Sequence, residues 1–597
     1  MSSDPIIVLK FGSSVLTDES AVPGAVHEIY RWLRQGRRVV AVVSALGKTT
    51  DHLLARAEQM AGAPEPAGLA ALLATGEATS AALLALALDR AGVPAALLDS
   101  WRVGLRTDGP LLDAEPRELN RRELFRALDE RPVAVLAGFV GQDGEGRTSL
   151  LGRGGSDLTA FFVAQRLGAE CCRLIKDVDG IYDGDPTASQ APRRFATLTW
   201  DDAFRLGGRV VQPKAIRYAE RYGLAFEVSA CGSGVATVVG PGPTRYCERA
   251  AEPPAAPRPL RVALLGLGTV GLGVYRHLAA DPERFQVVGI AVRRPAKHQG
   301  DGVPMELFSS DPWKLLEVDS DLVVEAIGGQ HPAAELVRAA LDRGRDVVTA
   351  NKAVVAAHGA ELIARAEARG AQLAFSATVG GGVPVVETVE RVARRGRILA
   401  VEGVLNATTN FVLDRITAGF DLTAAIASAQ ENGFAEADPS NDLSGLDAVH
   451  KLVIVARAAF GVHLTVAQVD CRGIDDIDAD EVRAVHAAGS AVRLVASCRR
   501  TPDGVVARVC PLRLPADHPL AQPHDEQNRV LIQPEVGPAV IADGKGAGRW
   551  PTAESVTADV FDVYRLRRDS RLADEDEAVL APSASRVWAS GVPIGSR

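Results

Sequence analysis

The sequence predicts an α/β protein built from several domains. Apolar runs such as IIVLKF (6–11) and RVVAVVSA (38–45) are continuous, and a helical pattern near 23–35 separates them. Strands that are apolar on both faces and alternate with helices are typical of a mostly parallel sheet covered on each side. At 597 residues the chain is too long for one hydrophobic core, so we expect about two to four domains.

Composition and charge exclude several classes of function. The residues are 47% hydrophobic and 24% charged, as in a soluble globular protein. The net charge of -9, without a basic run, argues against nucleic acid as a partner. The N-terminus MSSDPIIVLKF lacks the apolar core of an export signal. Charged residues, proline and Gly76 interrupt the apolar stretch 69–98, which argues against a membrane span. The seven cysteines form no CxxC pair, so no zinc site or disulfide framework is indicated, and we predict a reduced, cytoplasmic protein.

The first half continues the α/β pattern, with strands at 132–141 and 171–178 and a helix from about Ser156 to Leu167. Ligands bind at the carboxyl ends of strands in such sheets, and three segments with chemical signals follow strands. They are KFGSS (10–14), the glycine-rich LGRGGSD (151–157) and DVDGIY (177–182). The free N–H groups of a glycine-rich turn that opens a helix can receive phosphate. Each segment alone could also be an ordinary capped turn.

Together the three segments resemble the amino acid kinase family, and specifically aspartate kinase. The resemblance implies that Lys10 neutralises charge on the transferred phosphoryl group and that Asp157 organises the catalytic lysines. It places aspartate against Thr50, Glu77, Phe139, Arg153 and Ser156. It places ATP, with Mg²⁺ on its phosphates, against Gly12, Ser13, Asp177, Asp179 and Tyr182.

The first half departs from aspartate kinases at three places. KFGSSVL stands where they have KFGGTSV and is also similar to glutamate 5-kinase, while LGGRVVQPKAI places Arg209 and Gln212 at a usual lysine and histidine. A proline- and alanine-rich linker, 248–259, stands where a pair of small ligand-sensing ACT domains usually follows. We therefore expect neither threonine nor lysine to inhibit through the family's usual route. The kinase half could be active on aspartate, active on glutamate, or silent as a regulatory module.

The second half opens with a dinucleotide-binding pattern. A strand (261–265) precedes Gly266, Gly268 and Gly271 in GxGxxG spacing, and a helix follows. The glycines permit a tight turn and close approach of a pyrophosphate. After the next strand, QVVGIAV (286–292), an acidic residue would normally meet the ribose. Basic residues stand there instead, at Arg293, Arg294 and Lys297. They favour NADP over NAD, or else form a solvated loop.

The stretch GFAEADPSNDLSGLDAVHK (433–451) carries the strongest catalytic signal. If 443–460 is a helix, Asp447 and Lys451 lie one turn apart on the same face, although an ordinary surface salt bridge would look the same. Further strands are predicted at 321–327, 346–350 and 371–377. Lys352 directly follows the second of these, so it either points into the cofactor crevice or is a helix N-terminal lysine.

The order of GLGTVG, ANKA, ATVGGGVP, GVLNATTNF and the stretch 433–451 resembles homoserine dehydrogenase, from about Arg261 to Arg568. The resemblance implies a homodimer in which Lys451 and Lys352 are catalytic, Glu436 and Asp447 bind the amino alcohol, and Asp442 supports them. It implies NADP(H), or NAD, held by Gly266, Gly268, Thr269, Val270, Gly271, Thr349, Asn351, Gly433 and Gly546. It also implies Na⁺ or K⁺ on the backbone oxygens of Ser376, Val379, Gly381 and Val383.

The predicted domains are a kinase-type αβα sandwich and a Rossmann domain with an α+β substrate and dimerisation domain. Their bounds are 1–247, linker 248–259, 260–378 completed by 545–570, then 379–544 and a tail 571–597. The resulting hypothesis is an enzyme with two activities. It would phosphorylate aspartate with ATP and interconvert aspartate semialdehyde and homoserine with NADP(H). The alternative without reductase chemistry is a nucleotide-binding scaffold.

Overall fold

The computed structural model describes residues 4–184, 192–207, 210–247 and 258–573. The chain divides into two compact units, Met1–Ala256 and Pro257–Arg597. Most of the predicted linker (248–257), Arg209 and most of the predicted tail (574–597) lie outside the described residues.

The first unit alternates strands and helices as predicted. Its strands are β1 (Ile6–Phe11), β2 (Arg38–Val43), β3 (Ala95–Leu98), β4 (Arg106–Asp108), β5 (Glu115–Glu118), β6 (Val133–Ala137), β7 (Val140–Gln142), β8 (Thr148–Leu150), β9 (Cys171–Lys176), β10 (Phe195–Thr199), β11 (Phe226–Ala230), β12 (Thr237–Gly240) and β13 (Arg245–Tyr246). Its helices are α1 (Val22–Arg34), α2 (Thr49–Ala61), α3 (Pro66–Arg90), α4 (Arg121–Glu130), α5 (Gly155–Leu167), α6 (Trp200–Arg205) and α7 (Pro213–Arg221).

Nine of these strands form one sheet in the order β13-β10-β12-β11-β9-β1-β2-β6-β3. The central strands β9, β1, β2, β6 and β3 are all parallel, so their carboxyl ends meet at one edge. Every residue of β1 and β2 is buried, as expected for strands covered on both faces. A second sheet, β5-β4-β7-β8, contains four short strands.

One prediction for this unit is wrong. The run 132–141 is two strands in different sheets, because Phe139 adopts a left-handed φ of 68° and turns the chain between β6 and β7. Gly76 lies inside helix α3, which is continuous from Pro66 to Arg90. A Cβ at Gly76 would lie 3.1 Å from the Ala45 Cβ, so this glycine allows close packing there.

Among the described residues, α3 is the one helix long and apolar enough to cross a membrane, and 44% of its most apolar window is buried. It packs against β2, β3 and β6, which is how a core helix of a globular unit behaves. The seven cysteines are all free.

The second unit contains two six-stranded sheets. Its strands are β14 (Leu260–Leu265), β15 (Phe285–Ala291), β16 (Phe308–Ser309), β17 (Leu322–Glu325), β18 (Asp346–Thr349), β19 (Leu373–Ala374), β20 (Ile398–Val404), β21 (Asp470–Cys471), β22 (Ser490–Thr501), β23 (Gly504–Pro515), β24 (Gln527–Pro534) and β25 (Val540–Lys545). Its helices are α8 (Thr269–Ala279), α9 (Pro312–Leu315), α10 (Ala333–Asp342), α11 (Lys352–Arg369), α12 (Val385–Arg395), α13 (Ala407–Thr417), α14 (Leu422–Glu431), α15 (Ser440–Leu443), α16 (Leu446–Phe460), α17 (Ala479–Ala487) and α18 (Arg549–Ala573).

The first sheet of this unit is parallel, in the order β16-β15-β14-β17-β18-β19. This is the strand order of a Rossmann fold, which binds dinucleotides where the order reverses beside the first strand. Helix α18 returns to this sheet and packs against α8. Its buried side chains Ala553, Val556 and Val560 join the same core as Val262 of β14.

The second sheet has the order β21-β23-β22-β20-β24-β25. Helix α16 packs against β20, β22 and β23, and it also contacts α11 of the Rossmann sheet. Helix α16 therefore joins the two layers at the place where the predicted catalytic residues stand. The predicted strand 371–377 is much shorter in the structure, since a 3₁₀ turn (Ser376–Thr378) follows β19.

Candidate active sites

The carboxylate of Asp447 lies between two lysines in the second unit. Lys451, one turn further along α16, approaches Asp447 Oδ2 at 2.8 Å, and Lys352 pairs with Oδ1. The Asp447 and Lys451 side chains are only 5% and 10% exposed, so the pair is not a surface salt bridge. Burial alone would raise the pKa of Asp447, but the two ammonium groups outweigh it and hold the pKa well below its usual range.

Two residues that the sequence did not single out hold this cluster. Asn406 Nδ2 donates to Asp442 Oδ1 at 2.7 Å and to Asp447 Oδ2 at 2.9 Å. The neighbouring Leu405 carbonyl accepts from Lys451 Nζ at 2.5 Å. The Asp447 carboxylate and the Leu405 carbonyl thus fix the position of the Lys451 ammonium group. Asn406 belongs to the motif GVLNATTNF (403–411), but nothing in the spacing of this motif indicates that Asn406 joins the two aspartates.

Asp442 is half-buried beside Asp447. Burial and the Asp447 charge both raise its pKa, while Asn406 and the Thr408 hydroxyl, at 3.2 Å from Oδ2, donate to it. Glu436 is exposed on the preceding loop, and its charge acts on Lys352. Carboxylates therefore surround the two lysines, at Asp447, Asp442 and Glu436. The ammonium group of a bound substrate would require such negative partners.

Lys352 is the first residue of α11, and two residues separate it from the carboxyl end of β18. Its side chain is 43% exposed. Burial of the lysine opposes its charge, but Asp447 and the neighbouring carboxylates outweigh this and raise its pKa. Lys352 is therefore a helix N-terminal lysine, as one of the two alternatives has it, and its ammonium lies against the Asp447 carboxylate.

Glu325, at the end of β17, is a buried carboxylate that the sequence did not single out. Thr349 donates to Glu325 Oε2 at 2.5 Å, and the Ile327 N–H donates to Oε1 at 2.8 Å. Asn351 Nδ2 donates to the Gly329 carbonyl at 2.6 Å, and its Oδ1 caps α11. The Thr349 side chain is fully buried, and its predicted contact with the cofactor stays a prediction. Its hydroxyl is bonded to Glu325 because both side chains turn inward.

The turn after β14 is open where a pyrophosphate would approach. Gly266 has a φ of 101°, and a Cβ there would lie 2.6 Å from the Ala326 carbonyl oxygen. A Cβ at Gly271 would meet the Gly266 carbonyl oxygen at 2.3 Å. A Cβ at Gly268, by contrast, would meet no atom within 4 Å, and Gly268 and Thr269 are exposed while Val270 is half-buried.

Three basic side chains stand beyond the end of β15. Arg293, Arg294 and Lys297 are exposed, and within the described part of the chain none of them forms an ion pair. No carboxylate occupies the strand end, where Ala291 and Val292 precede them. The loop therefore offers unpaired positive charge at the ribose position of a Rossmann fold.

The loop 376–383 is buried between the two layers. Ser376, Val379, Gly381 and Val383 are all buried, and Gly381 has a φ of 59°. The Ser376 carbonyl accepts a hydrogen bond from Val379 N, and the Val383 carbonyl accepts one from Val385 N. A Cβ at Gly381 would lie 2.7 Å from the Gly546 carbonyl oxygen. No group of three or more His, Cys, Asp or Glu side chains suited to a metal occurs in the residues the structure describes.

Gly433 and Gly546, the two other glycines that are predicted to bind the cofactor, lie in different environments. Gly433 is exposed after α14, with a φ of 76°. Gly546 follows β25 against Asn528, whose Nδ2 donates at 3.2 Å to the same Leu405 carbonyl that receives Lys451. A side chain at Gly546 would displace Asn528, so this position bears on the Lys451 environment.

A second lysine–carboxylate cluster lies in the first unit. Lys10, at the end of β1, approaches Asp157 Oδ1 at 2.8 Å, and Lys176, at the end of β9, approaches Oδ2 at 3.2 Å. Burial would raise the pKa of Asp157, but Lys10 and Lys176 lower it further than burial raises it. Lys176 was not among the predicted residues. A Cβ at Gly12 would lie 3.1 Å from Lys10 Nζ, so the first predicted segment lies against the same cluster.

Glu77 is buried in α3, and its Oε2 has no hydrogen-bond partner among the residues that the structure describes. Burial raises the pKa of Glu77 to about 8, although the Lys10 charge and the Ala45 N–H oppose the shift. A buried carboxyl oxygen without a partner is costly, and an ammonium group would satisfy it.

The other predicted aspartate ligands lie in turns or in the first turns of helices of the first unit. Phe139 keeps its left-handed backbone, with its N–H bonded to the Thr159 hydroxyl at 3.0 Å. Ser156 is buried in the first turn of α5, Arg153 is exposed just before it, and Thr50 is half-buried in the first turn of α2. Strained non-glycine backbone concentrates at functional sites.

The predicted nucleotide segment directly follows Lys176. Asp177 and Ser13 are exposed, and the Tyr182 hydroxyl donates to Asp179 Oδ1 at 2.5 Å. Burial and Asp179 raise the pKa of Tyr182. Asp179 and Tyr182 therefore stabilise the turn through each other, while Asp177 is open to solvent.

The two units define two classes of enzyme. A Rossmann sheet joined to a site with two lysines around a buried carboxylate is typical of a nicotinamide-dependent dehydrogenase. Two lysines around an aspartate beside a glycine-rich turn are typical of phosphoryl transfer. Three family models match these regions: the amino acid kinase family at 5–227, the homoserine dehydrogenase NAD binding domain at 266–376 and homoserine dehydrogenase at 384–561.

Known relatives agree with this division. The homoserine dehydrogenase of Corynebacterium glutamicum is 40% identical over 321 residues, which cover 51% of this chain and 72% of that protein. The Pseudomonas aeruginosa homoserine dehydrogenase is 37% identical over 318 residues, 52% of this chain and 73% of that one. A crystal structure of a Thiobacillus denitrificans homoserine dehydrogenase is 35% identical with a TM-score of 0.50, covering 53% of this chain and 75% of that one. The chain belongs to the homoserine dehydrogenase family and carries an amino acid kinase domain ahead of it.

Proposed function

We propose that the second unit interconverts aspartate semialdehyde and homoserine with NADP(H), and that Lys451 is its proton donor. The observation that carries this proposal is the placement of Lys451 and Lys352 on opposite oxygens of Asp447 at the end of the Rossmann strands. Homoserine-dependent formation of NADPH by the purified protein tests it. No reduction of NADP⁺ with homoserine would contradict it.

The residues supply each charge that the reduction needs. A bound nicotinamide cofactor would supply the hydride for the aldehyde carbon. Lys451 stabilises the alkoxide that develops on the oxygen and donates a proton to it. Asp447 and Leu405 hold the lysine in place, and Lys352 keeps Asp447 ionised. Glu436 and Asp447 would receive the substrate ammonium, with Asp442 in support.

The cofactor proposal is NADP(H) because of Arg293, Arg294 and Lys297. Replacing both arginines by alanine is expected to raise the KM for NADP⁺ by about tenfold or more, since each unpaired charge would pair with the 2′-phosphate. The KM for NAD⁺ should change by less than about threefold. Steady-state kinetics with both cofactors measures the ratio, and an equal change for NADP⁺ and NAD⁺ would mean that the loop is only a solvated surface.

A monovalent cation on the carbonyls of the loop 376–383 belongs to the same proposal. A carbonyl oxygen has two lone pairs, so Ser376 and Val383 can accept an internal hydrogen bond and still face an ion. Such a cation would fix the loop that precedes α12. Dehydrogenase activity that is unchanged when Na⁺ and K⁺ are replaced by a bulky organic cation would contradict this part.

The homodimer is proposed to form through the second sheet. The face opposite α16 carries the exposed apolar side chains Val506, Leu512 and Ile541, whereas Ala496, Val509 and Ala542 on the other face are in the core. Exposed apolar patches on a sheet mark interaction surfaces. A monomeric mass by light scattering would contradict the dimer.

For the first unit we propose phosphorylation of the side-chain carboxylate of aspartate by ATP. The supporting observation is the buried Glu77 beside Lys10, which offers an unsatisfied oxygen to an amino group next to the phosphoryl-transfer cluster. Mg²⁺ would accompany ATP on its phosphates. The test is ADP release that depends on aspartate.

Glu77 gives this activity a predicted pH dependence. Because its pKa is raised to about 8, Glu77 is mostly protonated at neutral pH and must lose its proton to pair with an ammonium. The KM for aspartate should therefore fall as pH rises from 6 to 8, by up to roughly tenfold per pH unit. The KM for ATP should not follow. Measuring both constants across this range checks the assignment, and a flat KM for aspartate would remove Glu77 from the amino-group site.

A kinase that prefers glutamate or is catalytically silent is the second candidate. It is favoured by KFGSSVL and by Gln212 in place of the usual residues. Arg209, the other departure, lies outside the described residues. Glutamate-only turnover would support a glutamate kinase, and no turnover with either amino acid would support a silent module.

A further inference from the structure

Glu325 joins the carboxyl ends of two neighbouring strands of the Rossmann sheet. It is the last residue of β17 and is fully buried, although it carries a carboxyl group. Its Oε2 accepts from the hydroxyl of Thr349, the last residue of β18, at 2.5 Å. Its Oε1 accepts at 2.8 Å from the N–H of Ile327, in the loop that follows β17. One buried side chain therefore connects the end of β18 to the loop after β17.

Asn351 extends this connection to the start of α11. Its N–H donates to the Thr349 hydroxyl at 3.0 Å, and its side chain caps α11. Its Nδ2 also donates to the Gly329 carbonyl at 2.6 Å, in the loop after β17. Positive charge at a helix N-terminus opposes the helix dipole, so the dipole does not hold Lys352, the next residue. The position of Lys352 depends on this cap and on the Asp447 carboxylate.

The loop after β17 lies beside the turn of the dinucleotide pattern. A Cβ at Gly266 would lie 2.6 Å from the Ala326 carbonyl oxygen, so the two turns are in contact. Gly328 and Gly329 have left-handed φ angles of 80° and 74°, and a Cβ at either would meet no atom within 4 Å. Ile327 is 38% exposed. The loop therefore presents open backbone and an apolar side chain between β14 and β17, where the strand order reverses and a Rossmann fold binds its cofactor.

We propose that Glu325 is a positioning residue for hydride transfer, which holds the loop 326–329 on the cofactor side and Lys352 on the substrate side in one arrangement. The role rests on the proposed dehydrogenase function. Glu325 acts through the Thr349 hydroxyl and the Ile327 N–H. Buried donors without an acceptor are costly, so loss of the carboxylate would let both segments shift. The reaction depends on the alignment of cofactor and substrate, and a displacement of about 1 Å can cost about 10²-fold in rate.

The experiment uses the full chain with Glu325→Ala and Glu325→Gln. Fluorescence titration measures the Kd for NADPH, and steady-state assays measure NADP⁺ reduction with homoserine. In Glu325→Ala the Kd for NADPH should rise by about tenfold, and kcat should fall by about 10²-fold. Glu325→Gln should stay within about fivefold of the wild type in both, because its amide keeps an oxygen for Ile327 N–H and can donate to the Thr349 hydroxyl.

The matched control is Asp346→Asn. Asp346 is also a buried carboxylate of this sheet, but it lies at the amino end of β18, where it pairs with Arg567. A variant that only unfolds more readily has less active enzyme, which lowers the apparent kcat but changes neither KM nor Kd. Asp346→Asn should therefore unfold at lower urea concentration and keep the wild-type KM for NADP⁺ and Kd for NADPH.

A wild-type Kd for NADPH in Glu325→Ala, with kcat within about threefold of the wild type, would overturn the proposal. Equal impairment of Glu325→Gln and Glu325→Ala would also overturn it. If Glu325→Ala does not fold, Thr349→Val tests the same connection, because valine keeps the shape and removes the hydroxyl. Its kcat should fall by about tenfold, and a wild-type kcat would overturn the proposal.

Failure of the dehydrogenase function can be told apart from failure of the role of Glu325. If the wild type does not reduce NADP⁺ with homoserine, the dehydrogenase function fails, and the positioning of Lys352 for that reaction fails with it. The Kd for NADPH does not depend on turnover. A raised Kd in Glu325→Ala would still support the hold of Glu325 on the loop 326–329, and an unchanged Kd would refute it.

Discussion

Replacing Lys451 by methionine is expected to lower kcat for homoserine oxidation by about 10³-fold or more. The substitution removes both the proton-transfer group and the charge that stabilises the alkoxide, and each of these contributes about 10²-fold or more. Lys352 cannot take over, because it lies on the other oxygen of Asp447 and follows β18 in a fixed position at the start of α11. The rate of NADPH formation measures the effect.

The matched control for Lys451 is Arg395→Met, which removes one positive charge from the exposed end of α12. It should behave as the wild type. Binding of NADPH, followed by its fluorescence, should survive in Lys451→Met, because the open Gly268 turn lies on the Rossmann sheet and Lys451 belongs to α16. A Lys451→Met enzyme with kcat within about tenfold of the wild type would show that another group donates the proton.

Replacing Asp157 by asparagine should lower kcat for aspartate-dependent ADP release by about 10²-fold or more. Lys10 and Lys176 would lose their shared counter-charge and repel each other. Leaving buried charges unpaired costs roughly 3–5 kcal/mol, so the first unit should also unfold at lower denaturant concentration. Coupled assay of ADP and urea unfolding measure the two effects.

The dehydrogenase activity of the Asp157→Asn variant shows whether the substitution affects only the first unit. Homoserine-dependent NADPH formation should stay near the wild-type rate, since its residues belong to the second unit. Full retention of kinase turnover in Asp157→Asn would refute the role assigned to the carboxylate. Unchanged stability would mean that the lysines find other partners.

The fold could be predicted from the sequence wherever the pattern was local. Continuous apolar runs identified β1, β2 and the Rossmann strands, and the GxGxxG turn identified Gly266, Gly268 and Gly271, because strand burial and tight turns depend on neighbouring residues. One prediction failed where the backbone conformation of a single residue decides. The strand 132–141 divides at Phe139, whose left-handed φ turns the chain between two sheets.

The residues of the candidate sites also divide into those that are predictable from local spacing and those that the fold brings together. Asp447 and Lys451 are four residues apart on one helix, so their pairing could be read from spacing. The bridge through Asn406 joins residues 36 and 41 positions away, and the pairing of Lys176 with Asp157 depends on β9 lying beside β1. Glu325 was missed because a buried acid at a strand end gives no local signal. These contacts require the sheet order, which one sequence does not contain.

The most direct test is to measure two reactions with one preparation of the full chain. ADP release is followed with ATP and either aspartate or glutamate, and NADP⁺ reduction is followed with homoserine. We expect aspartate-dependent ADP release and homoserine-dependent NADPH formation, with Asp157→Asn losing only the first and Lys451→Met only the second. ADP release with glutamate alone, or with neither amino acid, would contradict the assignment of an aspartate kinase to the first unit.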